Sequence, residues 1–73
     1  MEEKKVVIAR AKDEESFGRL CGIAEWYRER SSIKAYAGVE CDAHFFPNDE
    51  YDLLHITEML QEKGFVYRVE EVR

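Results

Sequence analysis

The chain has 73 residues, a formal net charge of -5 at pH 7, and is 45% hydrophobic and 37% charged. That length leaves room for one domain over residues 1–73, burying roughly 60% of its unfolded surface and stable by a narrow margin. No apolar run approaches the roughly 20 residues that span a bilayer, and the acidic balance opposes the counterion release that drives nucleic-acid binding, which excludes a membrane span and disfavours nucleic acid as a partner.

Met1 is followed by Glu2, Glu3, Lys4 and Lys5 and then by a strand-like stretch. This start lacks the basic segment, apolar core and small-residue cleavage site of a secretory leader, so a cytoplasmic location is expected. The two cysteines, Cys21 and Cys41, fall in segments patterned for the interior. Two thiols are too few to staple a small secreted domain, and reduced, buried thiols are expected.

Val6 to Ala11 is an apolar run with the β-branched content of a strand. Asp13 is a good N-cap for a helix whose first turn holds Glu14 and Glu15, which suit the positive end of its dipole. That helix runs to about Arg30 and ends at Ser31 and Ser32, with Phe17, Leu20, Cys21, Ala24 and Tyr27 as its apolar stripe.

From Ile33 the apolar side chains Ile33, Ala35, Ala37, Val39, Cys41, Ala43 and Phe45 alternate with the rest of the segment through Phe46. A run this long predicts a hairpin, and a three-residue loop at Gly38 to Glu40 keeps the parity of the pattern. One unbroken central strand, giving βαβαβ, is the alternative. Pro47, Asn48 and Asp49 stop the strand and cap a second helix, which runs to Lys63 with Leu53, Ile56 and Leu60 inward and Gly64 as its stop. Phe65 to Val72 is the last strand. The order is α+β, ferredoxin-like βαββαβ, with an antiparallel sheet and two helices on one face.

That arrangement hosts many unrelated activities, so each needs residues of its own. The first strand, VVIAR, and the third, CDAHFF, lack the aromatic and basic pattern of an RNA-recognition domain. The AKDEES loop carries no paired cysteines for a metal. No Gly-rich phosphate loop and no nucleophile with a His and an orienting partner stand out, so no cofactor, metal or catalytic residue is assigned. Cys41 and His44, read as one strand with an odd separation, leave opposite faces. His44 and His55 project to opposite sides of the molecule, each as an ordinary surface residue.

The residues the core does not explain are the candidates for function. Trp26 lies about 180° around the first helix from Phe17, and Gly18 and Gly22 precede it at intervals of four, each costing roughly 1 kcal/mol in helix stability relative to alanine. Gly18, Gly22 and Trp26, with Arg19 and Arg30 at the rim, form a candidate docking surface for a protein partner. Val6, Ile8, Tyr36, His44 and Phe46 would share the open face of the sheet and suit a homodimer or a bound ligand, whereas a one-residue shift of the first strand would present Val7 and Ala9 instead. A third surface, Tyr51, His55, Glu58 and Glu62 bordered by Leu54, reads as a solvated helix face.

The function expected first is a small non-catalytic binding or regulatory protein, including an inhibitor of a larger assembly, acting through Trp26 and as a homodimer. The second is a dimeric ligand-binding domain or enzyme with a pocket on the sheet face, His44 as acid or base and Tyr36 as its companion. The third is single-stranded nucleic-acid binding by stacking on Tyr36 and Phe46, which the charge opposes.

Overall fold

The computed structural model describes residues 4–72; Met1, Glu2 and Glu3, on which part of the leader reading rests, lie outside them. Its elements are β1 (Lys4–Arg10), α1 (Glu14–Arg30), β2 (Lys34–Ala37), β3 (Asp42–Phe46), α2 (Glu50–Glu62) and β4 (Val66–Val72). The antiparallel sheet has the order β2-β3-β1-β4, and this order with the two helices makes the fold ferredoxin-like α+β. Both helices end where their sequence signals place them. Asp13 accepts from the Ser16 amide at 2.8 Å to cap α1, and Asp49 does the same for the Asp52 amide at 2.8 Å at the start of α2. Gly64, at φ 82°, turns the chain out of α2, and the Phe65 amide donates to the Leu60 carbonyl at 2.9 Å.

Period-2 alternation sets the faces of the sheet. Val7 and Ala9 on β1, Ala43 and Phe45 on β3 and Ala35 on β2 point to the helices and are buried. Leu20, Ala24 and Tyr27 from α1, Ile56 and Leu60 from α2, and Ala11, Ile33 and Phe65 from the connections join them in the core, while Phe17, Cys41 and Leu53 pack against it only partly buried. Tyr27 meets Phe45 edge-on with ring centroids 5.7 Å apart, a favoured aromatic geometry. The thiols expected to be buried are only partly so, and both are free.

The central alternating segment is a hairpin, not one strand, but its turn differs from the three-residue expectation. Ala37 pairs with Ala43 and Tyr36 with His44, so five residues, Gly38–Asp42, separate the innermost pair instead of three, and the Gly38 amide donates to the Asp42 carbonyl at 2.8 Å. The longer loop keeps the same parity, which is why the alternation runs unbroken through it. Val39 is fully exposed at its tip. Cys41 lies in the loop with φ 59°, so strand parity does not govern it. A Cβ at Gly38 would displace the Asp42 carboxylate from its present position. β1 starts at Lys4 instead of Val6 and ends at Arg10, and the Ala11 amide then donates to the Cys41 carbonyl at 2.8 Å.

Candidate functional site

α1 lies over β2 and β3, and α2 over β1 and β4. Each helix buries its stripe against its own pair of strands, which leaves a groove of about 440 Å³ between them. Its lining is Arg19, Gly22, Ile23 and Trp26 from α1, Met59 from α2, Lys63 at its C-cap, and Phe65. Trp26 is 43% exposed and meets the ring of Tyr27 edge-on at 5.2 Å. It therefore flanks a cleft and does not stand on the far side of α1, as its angle from Phe17 implied.

Arg19, Gly22 and Trp26 come together in this groove, whereas Gly18 and Arg30 do not line it. The mid-helix glycines also lack the close approach that would offset their helix cost within the fold: a Cβ at Gly18 or Gly22 would meet nothing within 4 Å. Ile23, Met59, Lys63 and Phe65 were missed by sequence reasoning. The i, i+4 spacing of Met59 and Lys63 put them on one side of α2, but that spacing alone does not say that the side faces α1.

A second concavity adjoins the first and shares Arg19, Lys63 and Phe65 with it. It adds Arg10, Lys12, Ser16, Gly64 and Val66, and lies where β1 ends, α1 begins and α2 gives way to β4. The Asp13 carboxyl, also in this region, is held below the usual range by the Ser16 backbone amide and hydroxyl, with smaller help from Lys12 and Arg19.

On the open face of the sheet, Ile8 pairs with His44 and His44 with Tyr36, so the expected register of the first strand holds. Tyr36 stacks on His44 at 5.1 Å and on Phe46 at 5.5 Å. Val6 shares this face but is only 5% exposed. β1 is a central strand, and Val6 has Glu70 opposite it on β4. By parity Lys34, Asp42, Arg68 and Glu70 also occupy the face, and Arg68 pairs with Glu70 at 3.2 Å. The same parity puts the exposed Val66 and Val72 of β4 on this face, so its apolar side chains are interspersed with charges, and Tyr36, 50% exposed, is its most open aromatic.

His44 Nε2 donates to Asp42 Oδ2 at 3.0 Å, a pair the i, i+2 spacing on one strand could have shown. Burial pushes the Asp42 carboxyl up, but hydrogen bonds from His44 and the Glu40 amide and the charge of His44 outweigh it, and the net shift is downward.

His55 is exposed on α2, yet its Nδ1 is hydrogen-bonded to the Tyr27 hydroxyl at 2.7 Å. Among the described residues this is the only side-chain hydrogen bond between the helices. Burial, and then the negative charge of Asp52, push the Tyr27 phenol up to about 12. A folded-state pKa above the unfolded value near 10 means that the folded chain holds its proton longer, so stability falls as pH rises from about 10 to about 12. Ultraviolet titration of the four tyrosines should show one ionising late, and Tyr27→Phe should remove that late step. Tyr51 and Leu54 are well exposed, as expected for the third surface. Among the described residues no group of three or more His, Cys, Asp or Glu side chains is placed to hold a metal ion, and no helix is long and apolar enough to cross a membrane.

No family model, curated protein or solved structure matches this chain.

Proposed function

We propose that this chain is a small non-catalytic binding domain, regulatory in that it acts by occupying a partner protein, with the groove between α1 and α2 as its binding surface and Trp26 as the anchor. The observation that carries this reading is the groove itself: an apolar trough of about 440 Å³ in which a half-exposed Trp stands beside Ile23, Met59 and Phe65 with Arg19 at its edge. Trp, Met and Arg are enriched in protein interfaces, and Trp and Arg among the residues that dominate binding energy. The uncompensated Gly22 supports it further, because the missing side chain keeps the trough open at a cost to the helix. Self-association through Ile8, Tyr36 and Phe46 is the second part of the proposal, and a second copy would cover the exposed Tyr36.

Both parts are tested on the same samples. Light scattering across a concentration series should give a dimer for the native chain and a monomer for Ile8→Glu, with Trp26 emission solvent-exposed in each. A monomeric native chain removes the self-association claim. A Trp26→Ala variant that folds normally yet retains every partner of the native chain removes the groove claim.

A second reading has its own observation: the Asp42–His44 hydrogen bond with Tyr36 stacked over the imidazole would suit a ligand-binding pocket closed by a second copy. A ligand whose affinity falls in His44→Asn while Trp26→Ala leaves it unchanged would favour that reading.

A further inference from the structure

The charge around the groove is opposite to that of the protein. The chain carries 16 acidic residues against 11 Lys and Arg, yet no Asp or Glu lines either concavity while Arg10, Lys12, Arg19 and Lys63 do; the Asp13 carboxylate lies near Lys12 and Arg19 but is engaged in capping α1 through the Ser16 amide, so four cations face one carboxylate. These four come from the end of β1, the loop after it, α1 and the C-cap of α2, so the fold brings them together from separate parts of the chain. Among the described residues Lys12, Arg19 and Lys63 form no ion pair, and Arg10 reaches only Glu40 at 3.9 Å. Like charges gathered against the net charge of a protein repel one another and attract an anion.

We infer that the groove takes an acidic segment of a partner protein, one that seats a large apolar side chain against Trp26 and places carboxylates over Arg19, Lys63 and Lys12. This inference rests on the reading of the groove as a binding surface and names what that surface recognises. Arg19 and Trp26 are seven residues apart on α1, about 10 Å along the helix axis. The segment would therefore carry its acidic residues about three positions from the anchor if extended, or about seven if helical. A chain segment suits the site better than a small amphiphile because the trough is open along its side, whereas small-molecule sites typically enclose roughly 70–90% of the ligand surface. A segment needs only its anchor buried, and its carboxylates can meet exposed cations at the rim.

The test is calorimetric titration of the full chain with a short peptide that has a central Phe-Leu pair flanked on both sides by Glu and Asp. The same peptide with Lys at every acidic position, and dodecanoate as a small amphipathic anion, serve as comparisons. The acidic peptide should bind, weaken as salt is raised to about 0.5 M through screening, and shift the emission of Trp26 in the native chain. The Lys peptide should not bind. The double variant Arg19→Glu with Lys63→Glu, checked for native circular dichroism, should weaken binding about tenfold or more, and Trp26→Ala should abolish it.

Equal binding of both peptides, or no effect of the charge reversal while Trp26→Ala still abolishes binding, would overturn the acidic-segment inference and leave the groove reading standing. A bound acidic peptide indifferent to Trp26→Ala would overturn both. Binding of dodecanoate with none of the peptide would overturn the inference in favour of a small amphipathic anion, and no binding of any probe would overturn it outright.

Discussion

Phe45→Ala is expected to lose about 3–5 kcal/mol of stability, a large share of what a chain of this length holds. Phe45 is fully buried at the centre of the sheet, paired with Val7 on one side and Ala35 on the other and in edge contact with Tyr27. Four alanines, Ala9, Ala24, Ala35 and Ala43, belong to the same core. Alanine has no rotamers with which to swing into a void, so the space left by the ring stays open and the cavity penalty adds to the lost transfer energy. At about 0.05–0.15 kcal/mol per residue a chain of this length holds only roughly 4–11 kcal/mol in total. Urea unfolding followed by far-ultraviolet circular dichroism should show the midpoint moving sharply down with an unchanged slope. A loss below about 1 kcal/mol would mean that the core repacks around the gap, which these alanines should not permit.

The double variant Gly18→Ala with Gly22→Ala should move the other way, gaining about 2 kcal/mol at about 1 kcal/mol per site. Among the described residues the only glycine with positive φ is Gly64, so both mid-helix positions already have a backbone that alanine adopts freely. Their added Cβ atoms would have no neighbour within 4 Å and share no contact, so the two gains should be close to additive. For a domain of this size the melting temperature should rise by roughly 8–16 °C, taking about 4–8 °C per kcal/mol. The functional consequence separates the two positions: Gly22 lines the groove and Gly18 does not, so only Gly22→Ala should weaken a bound peptide. A drop in melting temperature would show that a close contact at these glycines exists in solution, as it would if a second copy packed there.

Much of the fold was legible because local chemistry fixed it. Asp13 and Asp49 are short acceptors immediately before helical runs, and each caps its helix in the structure. The strict alternation of residues 33–46 set which side chains face the helices, and a longer loop preserved that assignment because it kept the same parity. The turn length itself was not legible. Val39 and Glu40 carry no turn signature, and Cys41 at φ 59° is held by hydrogen bonds to its own carbonyl from Ala11 and to the following carbonyl, that of Asp42, from Gly38.

The candidate site was legible only in part. Trp26, Gly22 and Arg19 stood out on α1 because a helix wheel relates residues of one helix to each other. It does not relate them to another helix. Whether Trp26 faces solvent or a cleft depends on where α2 lies, and α2 is placed by Ile56 and Leu60 packing on the sheet, not by any contact with Trp26. Arg30 illustrates the same limit: it is four residues from Trp26 and so on its side of α1, yet it does not line the groove.

The sequence by itself determined the element order, the helix starts, the faces of the strands and the core stripe of α1, because each depends on interactions a few residues apart. Only the tertiary structure decided that the helices leave a trough between them, that Arg10, Lys12, Arg19 and Lys63 converge at one end of it, and that Val6 is covered on the open face of the sheet. Those features join residues distant in the chain, and their physical cause is the packing of each helix on its own pair of strands, which fixes the space between the helices as a by-product of the core.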